Sequence, residues 1–200
     1  MILGVFATEE QWDEIKKNSN EVEWVRLFSL SSIPVHIDAV FILAEVFEMD
    51  YSITQKIIFI NAVTNTLKEL NVPDNVVRIN GWKGFLSRPD WEISGIITEK
   101  VKAIFSSLNK KLILVPDEPG FIAARILAMI INEAWFAFGE NVSTKKEIDI
   151  AMKLGTNYPL GPFEWGEQIG EKNIFNLLQV LSKTNKKYLP APLLLQKITK

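Results

Sequence analysis

The hydrophobic pattern changes character partway along the chain. Over roughly the first 115 residues, short apolar runs alternate with segments of helical spacing. Residues 2–7, 39–44 and 57–60 are continuous apolar runs, which suit strands covered on both faces. Residues 22–28 alternate, with Val22, Trp24 and Arg26 opposed to Glu23, Val25 and Leu27. Residues 76–79, 92–93 and 112–115 are further strand candidates. Thr8 followed by Gln11 is a capping-box pattern, and Glu9 and Glu10 suit the positive end of a helix. Residues 98–107 place Val101, Ile104 and Phe105, with Leu108 beyond, on one side of a helix. Strands separated by helices predict an α/β sheet.

The sequence Val115-Pro116-Asp117-Glu118-Pro119-Gly120 marks a domain junction, since two prolines and a glycine break any regular element. Beyond this junction the chain reads as helical throughout. Residues 121–139 are apolar nearly all round, with Ile122, Ile126, Met129 and Ile130 on one face and Ala124, Ala128, Ile131 and Trp135 on another. Such a helix needs burial on both sides, within a bundle or between subunits. Gly139 is placed to cap it. A second helix is expected from Ser143, with Glu147 near its start. Tyr158-Pro159-Leu160-Gly161-Pro162 forms a rigid turn, and residues 163–169 and 174–183 read as further helices. The expected division is residues 1–116 as an α/β domain and 117–200 as a helical one.

Composition narrows the chemistry. The chain has 200 residues, 48% of them hydrophobic, enough for a sizeable core. Its 22 basic and 24 acidic residues leave a formal charge of -2, so neither a nucleic-acid nor a membrane partner is expected. The long apolar stretch at 121–138 carries Arg125, Asn132 and Glu133, which make it a poor membrane span. With no cysteine there is no disulfide, thiol nucleophile or thiolate metal site, and a cytoplasmic location is the natural expectation. The single histidine, His36, excludes a multi-histidine metal site, and no metal site is expected. His36 lies in Ile33-Pro34-Val35-His36-Ile37-Asp38, which reads as a solvated loop before a strand.

Several ordered segments carry a resemblance. The junction running into Phe121-Ile122-Ala123-Ala124-Arg125 is followed by Asn132-Glu133-Ala134, Ile148-Asp149 and Ala151-Met152-Lys153-Leu154-Gly155. Tyr158-Pro159-Leu160-Gly161-Pro162-Phe163-Glu164 and Pro190-Ala191-Pro192-Leu193-Leu194 complete the series. In this order the segments resemble the 3-hydroxyacyl-CoA dehydrogenase family over roughly residues 112–195. The resemblance implies a reduced, Rossmann-like α/β domain followed by the family's helical C-terminal domain. It also implies a homodimer formed by that helical domain, and an acyl-CoA ligand in fatty-acid metabolism.

The resemblance also shows where this chain departs from the family. Glu92 falls at the position of the family's glutamate, twelve residues after the position of its acid–base histidine, and that position holds Asn80. An amide does not exchange a proton near neutral pH, so Asn80 cannot replace imidazole and Glu92 reads as vestigial. Glu92 alone reads as a residue at the sheet's edge. Lys83 and Gly84 stand at the family's Asn-Pro pair, and Ala124 replaces its substrate-contacting asparagine. Asn65, in Thr64-Asn65-Thr66-Leu67, occupies a substrate-contacting serine position. Asn65 and Asn80 are therefore the candidate substrate-binding residues.

A diphosphate seat needs a glycine-rich turn after the first strand, where backbone N–H groups can approach the anion. Here that turn is Thr8-Glu9-Glu10-Gln11, with two carboxylates, and no Gly-x-Gly-x-x-Gly occurs anywhere. The family's cofactor is NAD; no cofactor-binding residue is identified here and tight NAD binding is not expected. The reading is a catalytically inactive 3-hydroxyacyl-CoA dehydrogenase-like protein that acts through dimerisation and acyl-CoA binding. Two alternatives stand beside it: an NAD-dependent 3-hydroxyacyl-CoA dehydrogenase with a remodelled site, and a structural or regulatory subunit.

Overall fold

In the computed structural model, residues 1–17, 21–44, 50–51 and 54–199 are described. They fall into two compact units, Met1–Phe121 and Ile122–Lys200.

The first unit is built on a seven-stranded sheet. Its strands are β1 (Ile2–Phe6), β2 (Glu23–Arg26), β3 (Ala39–Ile42), β4 (Ile57–Asn61), β5 (Val76–Ile79), β6 (Asp90–Ser94) and β7 (Lys111–Leu114). Their spatial order is β2-β1-β3-β4-β5-β6-β7. Strands β1 to β5 run parallel, β6 is antiparallel to β5, and β7 is parallel to β6. The helices of this unit are α1 (Glu9–Ile15), α2 (Leu67–Leu70) and α3 (Glu99–Ser107). Because β2 and β3 flank β1 on opposite sides, the topological switch lies between β1 and β3. That is where open α/β sheets take ligands.

The continuous apolar runs bury both faces, as their composition predicts. Leu3, Val5, Phe41, Phe59, Val77, Ile79, Trp91 and Ile93 form one layer with Ile15 of α1 and Val101, Ile104 and Phe105 of α3. Val40, Ile42, Ile58, Ile60 and Val76 form the layer on the other face. The rings of Phe41 and Phe59 stack at 4.5 Å. Each such aliphatic or aromatic side chain contributes roughly 1.5–3 kcal/mol when fully buried, before entropy is charged against it.

The second unit holds α4 (Ala123–Gly139), α5 (Lys145–Thr156), α6 (Pro162–Ile169), α7 (Glu171–Ser182) and α8 (Pro192–Ile198), with a 3-10 turn at Lys186–Tyr188. Two expectations at the ends of α4 change. Phe121 does not belong to the helix: it has φ 49° directly after Gly120 at φ 87°, and left-handed backbone cannot open a right-handed helix. Nor does Gly139 cap it. Glu140 is the C-cap, and Asn141 takes the left-handed turn at φ 58°, a conformation its short polar side chain tolerates. Thr144, rather than Ser143, caps α5, and Glu147 closes the capping box.

Two buried polar side chains of this unit, Asn132 and Asp149, are paired with backbone. Asn132, 2% exposed, donates from Nδ2 to the Leu189 carbonyl at 2.9 Å and accepts from the Ala191 N–H at 2.8 Å. It thereby fixes the proline-punctuated segment before α8. Asp149 accepts the Phe163 N–H at 2.8 Å at the start of α6. A Cβ at Gly161 would lie 2.3 Å from Asp149, so this close approach requires glycine. Among the described residues, no helix is long and apolar enough to cross a membrane.

Candidate ligand site at the carboxyl end of the sheet

The turn after β1, Thr8 to Gln11, is where a dinucleotide would need its cradle, and here it closes on itself. Thr8 Oγ1 accepts the Gln11 N–H at 3.4 Å, while Gln11 Oε1 accepts the Thr8 N–H at 3.1 Å. Gln11 Nε2 then donates to the carbonyls of Leu43, after β3, at 2.9 Å and of Gly81, after β5, at 3.3 Å. One carboxamide thus bridges the crevice at the switch point. Asn61, at the end of β4, repeats the arrangement, donating to Leu43 O at 3.1 Å and accepting the Gly81 N–H at 3.0 Å. A Cβ at Gly81 would lie 2.8 Å from Asn61, so the close contact depends on glycine there.

The charges at this turn are engaged as well. Glu9 pairs with Arg26 at 2.6 Å and Glu10 with Lys83 at 3.2 Å. Glu14, one turn further along α1, accepts the N–H groups of Gly84 and Ser87 at 3.0 and 2.8 Å. The glycine nearest the turn, Gly4, lies inside β1, where an added Cβ would meet Ile37 at 2.9 Å. These residues do not fit a diphosphate. The Thr8 and Gln11 N–H groups are already engaged, and two carboxylates occupy the first turn.

The residues aligned with the family's acid–base pair lie on neighbouring strands: Asn80 directly follows β5 and Glu92 is in β6. The β5–β6 register pairs Arg78 with Ser94 and Ile79 with Ile93. Continued by one pair, it sets Asn80 opposite Glu92. Since Ile79 and Ile93 belong to the α3-side core layer, Arg78, Asn80, Glu92 and Ser94 share the other face. Asn80 is 7% exposed, and its Oδ1 accepts the Trp82 N–H at 3.3 Å. Its Nδ2 has no hydrogen-bond partner among the described residues. Glu92 does not sit at the sheet's edge, as the sequence suggested. It is half-buried on the sixth of seven strands, and β7 pairs along its outer side.

Arg78 is the residue sequence reasoning missed. It is fully buried and forms an ion pair with Asp117. It also donates to the carbonyls of Ala62 at 2.9 Å and Glu118 at 3.2 Å and lies 4.6 Å over the Phe121 ring. Asp117 further accepts the N–H groups of Leu67 and Lys68 at 3.0 and 3.3 Å. Burial pushes the Asp117 carboxyl up, but these N–H groups and the guanidinium outweigh it and hold the carboxyl below the usual carboxylate range. An arginine inside the apolar run Val76-Val77-Arg78-Ile79 was the available signal, because a buried guanidinium requires a partner. Beside this network a cavity of about 510 Å³ is lined by Leu67, Ser94, Gly95, Leu114, Val115 and Asp117, among others.

The remaining candidates are on other elements. Asn65 is exposed in the loop after β4, where its Oδ1 accepts a hydrogen bond from Thr64 at 3.0 Å. Ala124 is 0% exposed in α4 and offers no polar side-chain atom. His36 is exposed in a turn. Among the described residues, no group of three or more His, Asp or Glu is placed to hold a metal ion.

Comparison with known proteins bears on both units. Residues 120–200 match the family described as 3-hydroxyacyl-CoA dehydrogenase, C-terminal domain. The chain is 40% identical over 109 residues to a 3-hydroxybutyryl-CoA dehydrogenase of Clostridioides difficile, covering 51% of this chain and 39% of that protein. It is 39% identical over 102 residues to the 3-hydroxyadipyl-CoA dehydrogenase of Escherichia coli, covering 50% of this chain and 22% of that protein. The chain therefore spans well under half the length of these curated relatives. The crystal structure of (S)-3-hydroxybutyryl-CoA dehydrogenase PaaH1 from Ralstonia eutropha superposes with a TM-score of 0.71 at 21% identity, covering 99% of this chain and 93% of that one. That likeness extends the shared fold across the whole chain.

Proposed function

The chain belongs to the 3-hydroxyacyl-CoA dehydrogenase family, and from that membership we propose that it binds acyl-CoA as a homodimer without carrying out hydride transfer. The observation that carries this reading is the self-closed β1–α1 turn, in which Gln11 bridges Leu43 and Gly81 where a dinucleotide would lie. Hydride transfer needs a seated cofactor and a titratable group beside the alcohol. Asn80, opposite Glu92, supplies an amide in place of that group. Glu92 stays as a vestige of the pair, and Asn65 and Asn80 are the polar groups offered to a ligand.

Dimerisation through the helical unit is supported by its exposed apolar side chains. Ile122 and Ile126 at α4 are 50% and 56% exposed, and Leu154 on α5 is 82% exposed. Side chains of this kind in numbers on one small unit favour a partner surface. The paired test is a thermal-shift titration with acetoacetyl-CoA and, separately, NADH. A shift with the thioester and none with NADH is expected. A shift with NADH, or turnover of 3-hydroxybutyryl-CoA, would favour a dehydrogenase with a remodelled site. Silence towards both would favour a structural or regulatory subunit.

A further inference from the structure

Asn80 and Gly81 form the only Asn-Gly pair in the 200 residues of the chain. The backbone nitrogen that follows an asparagine can attack the carboxamide carbon, Cγ, and glycine leaves that nitrogen unshielded because it has no Cβ. The surroundings of this pair bear on each atom of that reaction. The Trp82 N–H donates to Asn80 Oδ1 at 3.3 Å, where negative charge develops as Cγ is attacked. Asn80 Nδ2, the leaving nitrogen, has no hydrogen-bond partner among the described residues to hold it. What opposes the attack is the engagement of the attacking nitrogen itself. The Gly81 N–H donates to Asn61 Oδ1 at 3.0 Å, and the Gly81 carbonyl accepts from Gln11 Nε2 at 3.3 Å. Asn61 is fixed in turn, through its Nδ2 on the Leu43 carbonyl at 3.1 Å. The proton that must leave Gly81 is therefore held by a neutral carboxamide oxygen, which accepts a hydrogen bond but is too weak a base to remove the proton.

We propose that Asn80 is a latent deamidation site and that Asn61 is the residue that keeps it closed. Water is the one co-reactant. The Gly81 nitrogen forms a bond to Asn80 Cγ and gives up its proton, the Cγ–Nδ2 bond breaks, and Nδ2 takes up a proton and leaves as ammonia. Water then opens the succinimide ring. Opening at Cγ gives aspartate, and opening at the main-chain carbonyl gives isoaspartate. Nothing is oxidised or reduced. The product carries a carboxylate at the position that the β5–β6 register sets opposite Glu92, where a neutral amide stood. Two carboxylates so placed repel, so the change is a lasting one in the electrostatics of the crevice. Asn132 shows the contrary case: its carboxamide is bonded at both ends, and Glu133 follows it in place of a glycine.

The test is the rate of deamidation at each asparagine, read by peptide mass mapping of the purified full chain aged in mildly alkaline buffer, well below its melting temperature. Asn61→Ala removes the acceptor of the Gly81 N–H. Asn132→Leu, in the helical unit, serves as the comparison for lost stability alone. Conversion at Asn80 is expected to run about tenfold faster in Asn61→Ala than in the wild type, the equivalent of one hydrogen bond lost. The acceleration is expected to be confined to Asn80 and to be missing from Asn132→Leu. An Asn80 rate in Asn61→Ala equal to that of the wild type would overturn the proposal. So would an acceleration shared by the other asparagines or reproduced by Asn132→Leu, since a loosened fold would then be the cause. If Asn61→Ala does not fold, the wild type decides. Its Gly81 amide is expected to be protected from hydrogen exchange, and Asn80 to convert about tenfold or more slowly in the folded chain than in urea. An unprotected Gly81 amide, or equal rates in the two states, would overturn the proposal as well.

Discussion

The two units of this chain treat their buried polar groups in opposite ways. In the helical unit, Asn132 spends both ends of its amide on the backbone of Leu189 and Ala191, and Asp149 takes the Phe163 N–H. These side chains hold loops in place. In the sheet unit, Gln11 and Asn61 likewise bind backbone, but Asn80 is left with an unused donor. The same residue type is a strap in one unit and an open valence in the other. Family likeness in residues 120–200 therefore preserves a scaffold, while chemistry must be argued from the sheet.

The contrast is tested most forcefully at Arg78. Arg78→Met is expected to destabilise the sheet unit by about 3–5 kcal/mol, because it leaves Asp117 partly buried without its guanidinium. Urea unfolding followed by Trp fluorescence would measure it, and a loss below about 1 kcal/mol would deny the network any structural weight. In the helical unit, Asn132→Leu should cost about 2–4 kcal/mol by leaving the Leu189 carbonyl and the Ala191 N–H unpaired. Hydrogen exchange at Ala191 should rise with it, and an unchanged rate there would contradict the strap. Gln11→Ala should cost about 1–2 kcal/mol and speed exchange of the amide at residue 8, whose N–H the Gln11 carboxamide accepts. An unaltered melting temperature would mean that the carboxamide bridge contributes nothing.

The smallest expected effect is on pH dependence. Asp117 has its carboxyl held below the usual range in the folded chain, so the folded state binds its proton less readily than the unfolded one. The stability it confers is complete above its ordinary value of about 4 and fades as pH falls below that. Asp117→Asn should flatten the acid limb of the stability curve below about pH 4. A limb of unchanged slope would mean that Asp117 is not the group responsible.

Much of the fold is legible in the pattern of apolar residues. All seven strands lie on runs that the sequence marks, because strands covered on both faces must be apolar at successive positions. The capping box at Thr8 is local chemistry and can be read locally, whereas the start of α5 falls one residue later than its sequence suggests, at Thr144 instead of Ser143. The ends of α4 escape the pattern because the left-handed positions fall on Phe121 and Asn141, and the first of these is a residue type that gives no such signal. Arg78 is hidden in the sequence since its partner, Asp117, lies 39 residues away, and that pairing exists only once β5 and the segment after β7 are brought together. The position of Glu92 is obscured for a related reason: which strand ends a sheet is a matter of order in space, which periodicity does not encode. The crevice is legible in what it lacks, glycines, but not in what fills it, since the reach of Gln11 to Leu43 and Gly81 depends on the packed sheet.

The proposal that this chain carries out no hydride transfer is addressed most directly by one assay. The purified protein is incubated with 3-hydroxybutyryl-CoA and NAD at concentrations far above those at which dehydrogenases saturate, and NADH absorbance is followed over hours. A trace indistinguishable from the protein-free control is expected at every protein concentration. A rate that rises in proportion to protein, and is lost on Glu92→Gln, would show instead that the site is a working dehydrogenase.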